Sequence, residues 1–134
     1  MKKIISLICA LLMLVALIGC SPESEVEVLD YTGPEYDDEL TYYSVQNIVI
    51  DPEKYVGKTV KYNGVYMVSK NENGEPMNLC VVTYDSCCTT YIEFQLPEGA
   101  QYPELNTEIT ITGNIQTVQH SNTTYPVLLN ATIS

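Results

Sequence analysis

Tryptophan and arginine are absent from this chain, and phenylalanine and histidine occur once each, as Phe94 and His120. A single histidine, set in the polar stretch His120-Ser121-Asn122, leaves no set for a serine–histidine–carboxylate triad. It also leaves a cysteine nucleophile short of a partner base. Basic residues are scarce too: six lysines face 17 acids, for a formal net charge of −11. Without a row of Lys or Arg there is no track for phosphates, so nucleic acid is excluded as a partner and an anionic membrane surface is repelled. Neither a glycine-rich phosphate loop nor an internal repeat is present. The 134 residues leave room for one domain plus appendages.

Long hydrophobic runs are also lacking, with one exception. Met1-Lys2-Lys3 is a short basic start, Ile4 to Ile18 is almost wholly apolar, and Leu17-Ile18-Gly19-Cys20 closes the run. A basic start followed by an apolar stretch too short for a comfortable membrane span is the layout of a secretory signal. Ending at Gly-Cys rather than at an Ala-x-Ala-like site resembles the lipobox of bacterial lipoproteins, in which the cysteine sulfur takes a diacylglycerol. The expectation is a signal peptide over 1–19, removed together with Cys9, and lipidation at Cys20. Loss of Lys2 and Lys3 takes the side-chain balance from −11 to −13, a charge that suits solubility at a crowded surface. Residues 20–40 then read as a flexible acidic tether, because they carry Pro22 and Pro34 and show no sustained apolar period. Asp37, Asp38 and Glu39 within it lack the spaced oxygen ligands and fixed glycine of a calcium loop.

From residue 41 to the end the pattern changes to short β-prone runs broken by turn residues. Tyr42 to Ile50 predicts a first strand. Asp51-Pro52-Glu53-Lys54-Tyr55 predicts a short helical turn, with Pro52 at its first position and Gly57 as its stop. Lys58 to Lys70 alternates apolar and polar residues, interrupted at Asn63-Gly64, which predicts one long strand bulged or bent at a glycine rather than a hairpin. Asn71 to Pro76 is a turn, and strands follow over Asn78 to Tyr84 and Cys87 to Leu96. Glu108 to Gln119, with a second bulge expected at Gly113, and Thr124 to Ile133 complete the set. Five or six such strands predict an all-β fold, a small closed barrel with one short helical turn.

Three stretches carry a resemblance: Asp51-Pro52-x-x-Tyr55-x-Gly57-Lys58-x-Val60-x-x-x-Gly64; Cys80 with Asp85-x-Cys87-Cys88 and Glu93-Phe94; and Thr107-Glu108-Ile109-x-Ile111-x-Gly113. Together they resemble the small OB-fold-like domains of uncharacterised lipoproteins from Gram-positive, mainly clostridial, bacteria. More distantly they are similar to the extracytoplasmic domain of a permease-associated family that also carries a Cys-Cys pair. The chain departs from that pattern at Thr89-Thr90-Tyr91, where the relatives often have a glycine. The resemblance implies an OB-like barrel over about Val45 to Ile133, and it implies no activity.

Cys80, Cys87 and Cys88 admit three readings. As thiolates, with Asp85 or His120 as a fourth ligand, they suit zinc or copper, although C-x6-C-C lacks the paired knuckles of a strong zinc motif. As a staple, Cys80 bonds Cys87 or Cys88; a bond between the adjacent pair needs a distorted peptide and is disfavoured. As small hydrophobes they simply pack. Any site using all three requires a wide loop over Thr83 to Thr89, since a tight hairpin holds Cys80 and Cys87 about 13 Å apart at ~3.3 Å per residue. The expected function is therefore a non-enzymatic, membrane-tethered binding module on the outer face of a Gram-positive cell, holding a transition metal at Cys80, Cys87, Cys88 and Asp85. The alternative is an accessory domain that binds a protein or glycan through a tyrosine-bearing strand face, with the cysteines as a disulfide. A thiol redox enzyme comes third, because C-x-x-C and an activating cation are both missing.

Overall fold

The structure, a computed structural model, describes residues 25–134. The signal peptide expected over 1–19, the lipidation expected at Cys20 and the start of the tether lie outside the described residues. The elements run β1 (Val28–Asp30), α1 (Asp38–Ile50), a 3-10 turn (Pro52–Tyr55), β2 (Thr59–Lys70), β3 (Pro76–Tyr84), β4 (Cys88–Phe94), β5 (Glu108–His120) and β6 (Thr123–Ile133).

Strands β2 to β6 close on themselves in the order β2-β3-β4-β6-β5, with β5 returning to pair with β2. Every contact in the ring is antiparallel except β4 with β6. This is the OB-like barrel expected; closure pairs each of its five strands with two others, and the edge of β2 left over opposite β5 takes β1. Inward side chains alternate along each strand: Val60 and Tyr62 on β2, Cys80 and Val82 on β3, Ile92 and Phe94 on β4, Ile109, Ile111 and Ile115 on β5, and Leu128 on β6.

Closure depends on β2 serving two neighbours in succession. Thr59 to Val65 pair with β5, and Val65 to Lys70 pair with β3, so Val65 faces both Glu108 and Val81. Gly64 sits at the hand-over. A Cβ there would lie 2.6 Å from Cys80 Sγ and 2.8 Å from the Val81 carbonyl oxygen. The strand is continuous, as expected, but pairing with β5 runs through Gly64 without a skipped residue. Gly64 therefore marks a bend with close approach rather than a bulge. The irregularity expected at Gly113 exists on the facing strand. Thr112 pairs with Thr132 and Asn114 with Leu129, so two residues of β6, Asn130 and Ala131, face Gly113 alone. Asn130 takes the left-handed conformation, φ 49°, and Gly113 makes room for Leu128, whose Cβ would be 2.8 Å from a Cβ at that glycine.

Two expectations are corrected. Residues 42–50 are not a strand; they belong to the helix α1. Asp37 caps it by accepting from the Leu40 N–H at 2.8 Å, and Asp38 and Glu39 place negative charge in its first turn. Thr41, Val45 and Ile48 then form a buried stripe at helical spacing packed against β3, β4 and β6. The tyrosine- and β-branched-rich composition favours a strand locally, and packing of that stripe overrides it. The tether is also shorter than expected. Val28 to Asp30 pair in parallel with Thr59 to Lys61, Tyr31 N–H donates to the Lys61 carbonyl at 2.8 Å, and Leu29 and Tyr31 pack on the core. A strand added to an existing edge needs backbone pairing more than an apolar period of its own. The 3-10 turn forms where Pro52 predicts it, and Gly57, at φ 86°, ends it.

The crowding at Gly64 predicts that Gly64→Ala forces β2 away from β3 and lowers stability by about 1–3 kcal/mol, the usual cost of overpacking. Urea denaturation of the two proteins measures it; an unchanged midpoint would mean that the seam has slack.

Candidate functional site

The β3–β4 hairpin places the cysteines. Tyr84 pairs with Cys88 and Cys80 with Ile92, so the connection is the three-residue turn Asp85-Ser86-Cys87. Asp85 holds φ 53° and its carboxylate accepts from the Ser86 N–H at 2.8 Å, a turn role short polar residues fill well. The wide loop over Thr83 to Thr89 is not formed. Cys80 lies four residues up the strand from the Tyr84–Cys88 pair, about 13 Å at ~3.3 Å per residue, and a disulfide needs Cα atoms within about 7 Å. The structure thus does not bring Cys80 together with Cys87, Cys88 and Asp85, either as a zinc or copper site or as a staple. Among the described residues no group of three or more His, Cys, Asp or Glu side chains is arranged to hold a metal ion.

Cys80 has a different environment from the other two. It is fully buried, and the Tyr62 hydroxyl, also buried, donates to the Cys80 carbonyl at 2.9 Å. Burial pushes the Cys80 thiol up to about 12 and raises Tyr62 well above its ordinary value for the same reason. A thiol that stays protonated is no nucleophile, and Cys80, sealed in the core away from the other two cysteines, is a packing residue. Cys87 is exposed and Cys88 half-buried, and their Sγ atoms are 2.6 Å apart. The pairing disfavoured from sequence is the one whose sulfurs meet.

A cleft of about 450 Å³ lies elsewhere, on the outer face of the barrel. The β2–β3 hairpin flanks it with Lys70, Asn71 and Glu72, and the end of β5 does so with His120. Its floor comes from the outward residues Met77 and Leu79 of β3, Tyr91 and Glu93 of β4 and Tyr125 of β6, and α1 borders it with Gln46 and Val49. The floor follows from register, because Leu79 pairs with Glu93 and Glu93 with Val127, in one row across three strands. The β5–β6 turn is the two-residue Ser121-Asn122, both left-handed at φ 48° and 68°, a geometry that suits tight hairpins. It sets His120 beside Tyr125, with ring centroids 6.2 Å apart. Tyr91 and Tyr125 are each about half exposed, at 49% and 46%. Between the nearly buried Leu79 and Val127, the Glu93 carboxyl is desolvated and raised above its usual range, while the charge of His120 pulls it back down.

A second concavity of about 460 Å³, bordered by Asn63, Thr83, Glu108, Thr110 and Ser134, has no aromatic side chain in its lining. From sequence alone a tyrosine-bearing face has no named members, and His120 is a lone histidine offered as a fourth metal ligand; in the fold it is exposed and lies beside Tyr125 instead. From sequence, Glu93 stands only in a motif. The alternation Tyr91-x-Glu93 was readable, but which strands lie beside it was not. No family model, curated protein or solved structure matches the chain.

Burial of Cys80 has a pH signature. In the unfolded chain the thiol ionises near 9, whereas in the fold it holds its proton to about 12. Between those values the native state binds a proton that the unfolded state has lost, so stability falls as pH rises, by at most about 1.4 kcal/mol per unit from this group. Denaturation profiles between pH 9 and about 12, the window that linkage defines, should be flatter for Cys80→Ala than for the parent. Parallel profiles would show that Cys80 ionises freely in the fold.

Proposed function

We propose that this protein is a lipid-tethered, extracytoplasmic, non-enzymatic binding module whose barrel takes a short neutral oligosaccharide in the cleft between the β2–β3 and β5–β6 hairpins. The observation that carries this reading is the pair of half-exposed rings, Tyr91 and Tyr125, set beside Glu93 and His120 in one concavity. Tyrosine faces stack on the C–H faces of sugar rings, and their hydroxyls stay available to water or ligand. Glu93 and His120 supply acceptor and donor atoms for sugar hydroxyls. The volume of about 450 Å³ falls in the range of small-ligand sites. OB-type barrels use this strand face and these two loops for oligosaccharides and oligonucleotides. The net charge of −11 argues against the nucleotide form, because single strands need a basic groove. The basic start, apolar run and Gly19-Cys20 junction support the tether.

Two measurements test the proposal. In titration calorimetry with neutral β-linked oligosaccharides, Tyr91→Ala and Tyr125→Ala should each weaken binding about tenfold, a loss of about 1.4 kcal/mol. Absence of tyrosine-dependent binding across the series would sink the glycan reading. In cells, Cys20→Ser should move the protein from the membrane fraction to the medium or soluble fraction; retention in the membrane would refute lipidation as the anchor.

A further inference from the structure

The binding proposal leaves the tip of the β3–β4 hairpin unused. Its two thiols are adjacent in sequence and the Sγ atoms stand 2.6 Å apart, too close for simple contact and outside the ~2.05 Å of a covalent bond. Cys87 is exposed and Cys88 half-buried, so the pair is open to a small reagent. No third thiol among the described residues can compete, because Cys80 is buried about 13 Å along the strand at ~3.3 Å per residue. The Cys87–Cys88 peptide also sits at a permissive place. Cys88 is the last residue of the ladder, opposite Tyr84, while Cys87 belongs to the turn and is free of strand pairing. Two residues back from the turn, the Thr83 and Thr89 hydroxyls meet across the hairpin at 3.4 Å, which steadies its neck while the tip adjusts.

We propose that Cys87 and Cys88 form a reversible vicinal dithiol–disulfide site that reacts stoichiometrically with small-molecule disulfides. In the first step one cysteine thiolate attacks a disulfide R–S–S–R, forming a mixed disulfide and releasing one R–S⁻. In the second, the neighbouring thiolate attacks the cysteine sulfur of that mixed disulfide and expels the second R–S⁻. The two protons given up by the cysteines are taken by the two leaving thiolates. The cysteines are oxidised by two electrons, and R–S–S–R is reduced to two R–SH. Adjacency makes the second step intramolecular, so the mixed disulfide is short-lived. The Cys88 thiol is raised above its usual range, first by its hydrogen bond with Cys87, and thiol–disulfide exchange at the site speeds up as pH rises because the thiolate is the nucleophile.

The test uses the full chain, reduced and then exposed to 2-hydroxyethyl disulfide, quenched in acid, alkylated and cut with chymotrypsin after Tyr84 and Tyr91. The peptide so released carries Cys87 and Cys88 and excludes Cys80. The expected result is a peptide lighter by two hydrogens and closed to alkylation, with two more thiols of 2-mercaptoethanol released per chain than from the Cys87→Ser/Cys88→Ser double variant, which accounts for the remaining cysteines of the full chain. Dithiothreitol should restore double alkylation. Cys87→Ser should instead hold a stable mixed disulfide at Cys88, and Cys80→Ala should still form the vicinal bond. Double alkylation after exposure, a lasting mixed disulfide in the parent, or a crosslink to Cys80 or a second chain would each overturn the proposal.

Discussion

The hand-over along β2 is the constraint on which the rest depends. One strand closes the barrel by pairing first with β5 and then with β3, and it can do so because Gly64 lets its backbone approach Cys80 and Val81 with no Cβ in the way. The seam is also where the barrel interior is most tightly committed. Tyr62, two residues earlier, is fully buried and spends its hydroxyl on the Cys80 carbonyl, so a polar atom taken out of water has its partner. Cys80 is the small, soft residue that fits beneath the glycine. A larger side chain at either position would push the two strands apart.

Closure then divides the cysteines. Alternation along β3 sends Cys80 inward, and the short Asp85–Cys87 turn keeps the adjacent pair at the hairpin tip, four residues away. Closure also creates the outer face. Once β4 lies between β3 and β6, the outward residues Leu79, Glu93 and Val127 form one row, and the hairpins at its border turn a flat strand surface into a cleft. The hairpin tip and the cleft are thus two consequences of one register.

Much of the barrel was legible. Alternation over residues 58–70 and 108–119, the proline that opens the 3-10 turn, and the glycine that ends it are local signals with local causes. The helix was not, although Asp37 followed by Asp38 and Glu39, and the Thr41, Val45, Ile48 spacing, were available. Tyrosine, valine and isoleucine in 42–50 read as strand, and only a barrel wall against which a helical stripe could pack makes the other periodicity the stable one. The fate of β1 was hidden for the same reason: three residues of weak pattern become a strand when an unpaired edge is next to them.

By itself the sequence determined the strand-forming segments, most of the turns and the acidic charge, because these follow from side-chain chemistry within a few residues. Only the tertiary structure decided which cysteines share a neighbourhood and which tyrosines share a face. Those depend on register between strands distant in the chain, and a shift of one residue would move every side chain to the other side of the sheet.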